Sequence, residues 1–172
     1  YSVSKDSVLS LNDGYDVFYK IFESVGQLSG LAYRIKYIDN PFHKDVFPAH
    51  IYPFAGILKN YKCVYLKDYM VAVGINDSQT RSVSSIYDIS PTETWLKMYD
   101  SVFDKDEFSD FRKWGYEHIL TNYLGLLQIR NYSSFRRFIY ESYIMVKNRP
   151  KSLLNIKFIS IFIIPSLESI HF

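Results

Sequence analysis

The run Ser90-Pro91-Thr92-Glu93 divides this chain in two. A serine stands where a helix cap belongs, and proline follows at the first helical position, where its missing N–H costs nothing. Glutamate three residues after the cap completes a capping box. The signal predicts a helix over Thr92–Phe103 and a mainly helical remainder. Phe108, Phe111, Trp114, Ile119, Tyr123, Leu126 and Leu127 predict a second helix. Phe135, Phe138, Ile139, Ser142 and Val146 predict a third, which Pro150 ends. The most apolar stretch, Leu153 to Leu167, is interrupted by Asn155, Lys157 and Pro165 and falls short of the roughly 20 residues a bilayer span needs. Three readings stand for it: packing into sequence upstream of this chain, lying in a membrane interface, or serving as an ordinary core segment.

Ahead of the divide, Val17, Phe18, Ile21, Phe22 and Val25 predict one face of a short helix stopped by Gly26. Gly26 to Ile35 predicts a turn into a strand at Leu31-Ala32-Tyr33-Arg34. Val46 to Asn60 carries a helical pattern in which Pro48 suits the first turn and Pro53 kinks or delays the helix. Lys62 to Leu66 and Tyr69 to Gly74 predict two strands that pair or lie close, joined by Lys67-Asp68. Ile75 to Ile89 has the polar composition of a loop.

A length of 172 residues suits one domain, or a partial domain with a helical extension. The 48% hydrophobic and 22% charged residues are the balance of a folded chain and exclude disorder as the default. With 16 Tyr and 13 Phe the chain is rich in aromatics, which line sugar sites and half-wet interfaces; codon bias is the plain alternative. From Ser133 to Phe172 six Lys or Arg face two Glu, so the C-terminal part is basic although the whole carries only +2. Such a segment suits an anionic membrane or nucleic acid. No standard nucleic-acid motif accompanies the charge, and nucleic acid ranks last among the partners. The single cysteine, Cys63, excludes an internal disulfide and fits a reducing cytoplasm. The chain opens on Tyr rather than Met, which reads as a cut end.

Four short pieces stand in a telling order: Ser29-Gly30-Leu31-Ala32-Tyr33-Arg34, Pro48-Ala49-His50-Ile51-Tyr52-Pro53, Asn60-Tyr61-Lys62-Cys63-Val64-Tyr65 and Asn76-Asp77-Ser78-Gln79-Thr80-Arg81. Together they resemble the acceptor half of the family 2 glycosyltransferases, closest to a subgroup that builds bacterial surface and capsular polysaccharide. The resemblance covers about the first half of the chain and lies in order and spacing more than in any one piece. It implies an α/β (α+β) fragment, the acceptor half of a GT-A fold with short strands, over residues 1–90, and a helical C-terminal extension over 91–172.

It further implies an inverting sugar transfer from a nucleotide-sugar donor to a glycan or lipid-linked acceptor, in the cytoplasm or peripherally at the inner face of the membrane. The chemistry needs a base for the acceptor hydroxyl's proton. His50 holds that position, with Asp45 as competitor; the plain alternative for His50 is a buried or capping histidine. Ser29 and Gly30 are expected to floor the acceptor sugar, or else to form a tight turn. Arg34 is expected to orient an acidic sugar or diphosphate, or else to pair at the surface. Ser78 and Arg81 lie in the loop that would close over the donor diphosphate, or in a merely solvated one.

A Mg²⁺ or Mn²⁺ ion belongs to the parent enzyme through a D-x-D motif after an apolar strand. Asp104-Lys105-Asp106 matches its letters but follows a helix and reads as an acidic helix start. Tyr1 to Gln27 holds no counterpart of the nucleotide-binding half, so this part is expected to be inactive alone and to bind no metal. The competing reading is a non-catalytic helical module that docks to a partner or a membrane.

Overall fold

In a computed structural model the residues described are 5–25, 30–39, 42, 44, 47–68 and 84–163. The chain divides into two compact units, 1–74 and 75–172. Among the described residues helices dominate, with one two-stranded antiparallel sheet.

In the first unit, strand β1 (Ser7–Leu9) pairs with strand β2 (Cys63–Tyr65) in the register Ser7↔Tyr65, Val8↔Val64, Leu9↔Cys63. The backbone N–H of Lys67 extends the pairing by donating to the Asp6 carboxylate at 2.9 Å. The expected strand at Lys62 to Leu66 is present around Cys63, and one of its edges pairs with the start of the chain; the expected strand at Tyr69 to Gly74 and its pairing lie outside the described residues.

Helix α1 (Tyr15–Ser24) follows a turn at Gly14, whose φ of 103° is open to glycine and strained for other residues. Its apolar face buries Phe18, Ile21 and Phe22, with Val25 just beyond, as the spacing predicts. Full burial of each of these side chains is worth about 2 kcal/mol. Helix α2 (Ile51–Asn60) starts later than the periodicity suggests, after turns at 47–50. The delay puts Pro53 in the first helical turn, where no intrahelical bond needs its N–H, so the proline sets the start and causes no kink. Phe22 of α1 meets Phe54 of α2 at 6.0 Å between ring centroids. Residues 31–34 form no strand; they lead into a 3-10 turn at Ile35–Tyr37, whose Tyr37 ring packs at 4.1 Å on Tyr61.

In the second unit, a 3-10 turn at Ser84–Asp88 buries Tyr87 and leads into helix α3 (Pro91–Val102). Half of the predicted capping box is present: the Ser90 hydroxyl accepts from the Glu93 N–H at 3.1 Å, with Pro91 in the first turn, whereas the Glu93 carboxylate accepts from the Tyr140 hydroxyl at 2.9 Å instead of returning to the Ser90 N–H. The predicted second helix is instead two, α4 (Ser109–Leu120) and α5 (Tyr123–Tyr132). Asn122 makes the break by accepting from the Gly125 N–H at 2.9 Å and capping α5, so the chain turns where periodicity alone reads on. Helix α6 (Phe135–Asn148) is capped by Ser134, and Pro150 opens a 3-10 turn that ends at Leu154. Helix α7 (Ile156–Ile163) follows.

The core of this unit mixes aromatic and aliphatic side chains. Tyr99 of α3 and Phe103, just beyond its end, pack against Trp114 and Phe111 of α4, while Phe138 of α6 meets Phe162 of α7 at 5.0 Å. Helix α7 buries Phe158 and Ile161, and the Arg130 guanidinium donates to the Ile161 carbonyl near its end. Among the described residues no helix is long and apolar enough to cross a membrane.

Candidate functional site

The turn at 47–50 and the start of α2 bring two of the sequence pieces together. The Tyr33 hydroxyl donates to the His50 carbonyl at 2.7 Å, and burial pushes the Tyr33 phenol up to about 12, so it remains a donor at any ordinary pH. Gly30 and Arg34, on either side of this contact in the chain, are exposed. A side chain at Gly30 would meet nothing within 4 Å, and its φ is not positive, so neither crowding nor a left-handed turn requires glycine there.

His50 is 8% exposed. Its Nε2 lies 3.1 Å from the carbonyl oxygen of Val25, which can only accept, so the ring proton sits on Nε2 and the lone pair on Nδ1. Burial holds its pKa below the ordinary imidazole value, against a smaller upward pull from that carbonyl, and the ring is neutral at pH 7. The side chain therefore ties the start of α2 to the end of α1. A neutral ring retains one nitrogen able to take a proton. Ser29, Asp45, Ser78 and Arg81 lie outside the described residues.

Asp104 and Asp106 are exposed at the entry to the 3-10 turn Asp106–Phe108 that leads into α4, with Lys105 pairing to Glu107 at 3.9 Å. This is the setting of an acidic helix start. Among the described residues no group of three or more His, Cys, Asp or Glu is arranged to hold a metal ion, so the donor set of a resident metal is not found among them. The Cys63 thiol, in β2, is pushed up chiefly by burial and carries less thiolate than a free cysteine.

The sequence reading passes over a second place, a groove of about 1060 Å³ between the entry to α3 and the outer side of α6. Its wall is built around Arg137. That guanidinium donates to the Asp88 carbonyl, lies 3.6 Å from the Glu141 carboxylate and stands 5.4 Å from the centroid of the Tyr140 ring. The Tyr140 hydroxyl in turn donates to Glu93 at 2.9 Å, drawing that carboxylate across to α6. Behind the wall Glu141 is fully buried and accepts from the Thr92 N–H at 3.2 Å, one of the donors that the start of α3 leaves open. The signal was available at Arg136, Ile139, Tyr140 and Tyr143, which recur at helical spacing and would share one face, but nothing local says that the entry to α3 stands opposite.

No protein-family model matches the chain, and neither a curated protein nor a solved structure matches it.

Proposed function

We propose that this chain is the acceptor-side part of an inverting family 2 glycosyltransferase of GT-A fold with a helical C-terminal extension. In this reading it works with a nucleotide-binding half encoded upstream, which carries the Mg²⁺ or Mn²⁺ ion. The order and spacing of the four sequence pieces are its main support. The observation that carries it furthest is the Tyr33–His50 hydrogen bond of 2.7 Å, which joins a residue of the Ser29–Arg34 piece to one of the Pro48–Pro53 piece. That contact leaves Gly30 and Arg34 exposed beside it, where an acceptor would approach.

In the transfer, the acceptor hydroxyl attacks the anomeric carbon, the bond to the nucleoside diphosphate breaks, and the hydroxyl proton passes to a base. With Nε2 donating to Val25, His50 would take that proton on Nδ1, and its lowered pKa keeps it ready to do so. Asp45 remains the competing base.

The test uses the full-length protein with its upstream half and follows nucleoside diphosphate release from a panel of nucleotide sugars. Turnover is expected with at least one donor, and loss of the base lowers it roughly 10²–10⁴-fold. Asp45→Asn and His50→Gln separate the candidates, since glutamine keeps a donor for Val25 but cannot act as the base. No release from any donor, with the protein folded, removes the transferase reading.

A second reading is favoured by one observation. Leu154, Ile156 and Ile163 are 74–87% exposed around α7, with Lys151 and Lys157 close by in the chain. An apolar face with a basic rim suits docking to an anionic membrane. Flotation with anionic and with neutral vesicles tests it: binding only to the former, lost in Leu154→Ser/Ile163→Ser, supports docking, and equal recovery of both proteins removes it.

A further inference from the structure

The groove beside α6 lies wholly within residues 87–143 and uses none of the groups assigned above. We propose that it binds an uncharged sugar chain. Its volume of about 1060 Å³ is at the upper end for small-ligand clefts and leaves room for more than one sugar ring.

The lining groups select the ligand class. Arg136 and Arg137 are balanced by Asp88 and Glu93, so the groove presents no net charge to attract an anion or a cation. A phosphate site needs donors, and a site for a basic peptide needs acceptors. A sugar hydroxyl both donates and accepts, so it matches a wall that mixes the two. Asp88 offers a carboxylate that only accepts and Arg136 a guanidinium that only donates; Ser133 and Tyr143 offer hydroxyls that do both. The side chains of Asp88, Arg136 and Tyr143 are exposed and have no hydrogen bond or ion pair among the described residues, so their capacity is left for a ligand.

The rings supply the apolar part. Tyr143 is 57% exposed, and Tyr140, one turn earlier, is held by Glu93 at its hydroxyl and by Arg137 near its ring. A fixed ring loses little freedom when the C–H face of a sugar settles on it. Ser134, Arg137 and Glu93 are committed to the scaffold and set the wall's shape.

The experiment is an NMR titration of the isotope-labelled 172-residue chain with maltotriose, cellotriose and triacetylchitotriose, and separately with inorganic phosphate, each to about 10 mM. At least one of the three sugars is expected to shift the amides of 87–93 and 133–143 saturably. Tyr143→Ala and Arg136→Ala, both at exposed positions, should each weaken that binding roughly five- to tenfold with an unchanged circular dichroism spectrum. The proposal is overturned if no sugar moves these amides, if either folded variant binds as well as the unsubstituted chain, or if phosphate saturates the same amides at lower concentration than every sugar. No donor is present and no turnover is read, so this result and that of the transferase assay are independent.

Discussion

The imidazole Nε2 of His50 donates to the carbonyl oxygen of Val25 at 3.1 Å, fastening the first turn of α2 to the last of α1. Because burial holds the folded imidazole below its ordinary pKa, the unfolded chain takes up a proton near pH 6.5 that the folded chain refuses. The contribution of His50 to stability is therefore level above about pH 6.5 and falls as the pH drops from there toward the lowered folded value. His50→Gln should flatten this limb in urea melts recorded across the range. A second, more acidic limb should persist in that variant, because the hydrogen bond from Arg149 lowers the Glu117 pKa and its stabilisation is lost only as the pH falls through the folded carboxylate value. A His50→Gln protein that retains the upper limb would remove His50 as its source.

Glu141 is fully buried and serves both Arg137 and the start of α3. Removing one member of such a pair leaves an uncompensated charge, so Glu141→Leu should destabilise by about 3 kcal/mol. Glu141→Gln keeps an acceptor for the Thr92 N–H and should cost less, on the order of 1–2 kcal/mol. The double variant Arg137→Met/Glu141→Leu should recover most of the loss, since an apolar pair needs no desolvation. Urea unfolding midpoints of the three proteins decide the matter.

Helices α3 and α4 approach closely at Gly115, where an added Cβ would fall well inside 3.0 Å of the Tyr99 ring. Tyr99 is 1% exposed and cannot swing away. Gly115→Ala gains about 1 kcal/mol of helix propensity, yet overpacking of this kind costs about 1–3 kcal/mol, so a net loss is expected. Tyr99→Leu in the same background should relieve the overlap, and a smaller Gly115→Ala penalty in that background is the measurable sign of direct contact.

The break between α4 and α5 depends on the Asn122 side chain, which caps α5 through the Gly125 N–H. Asn122→Ala should lower the melting temperature, for a loss of about 1 kcal/mol. Asn122→Ser, which keeps an acceptor oxygen at the cap, should recover most of it; equal losses in the two variants would remove capping as the cause.

Elements governed by neighbours a few residues away were legible in the sequence. The Ser90 cap, the buried face of α1 and the stop at Pro150 each depend on groups within one or two helical turns. The separation of α4 from α5 was not, because Ile119, Tyr123, Leu126 and Leu127 keep a helical rhythm across a break made by one hydrogen bond. At the candidate site, His50 stood out by its neighbours, but its hydrogen bond to Val25, 25 residues away, did not. The groove was hidden for the same reason: Arg137 and Asp88 lie 49 residues apart.

Local chemistry thus set where most helices begin and end, where the positive charge collects, and which short pieces invite a sugar-transferase reading. Long-range packing chose the partners. Strand β2 paired with Ser7–Leu9 from the start of the chain, and His50 committed one ring nitrogen to the end of α1. Glu141, unremarkable in the sequence, became the buried link between α3 and α6. The physical reason is that capping and side-chain periodicity are satisfied within a turn or two, whereas strand pairing and the burial of a charge are resolved only when distant segments meet.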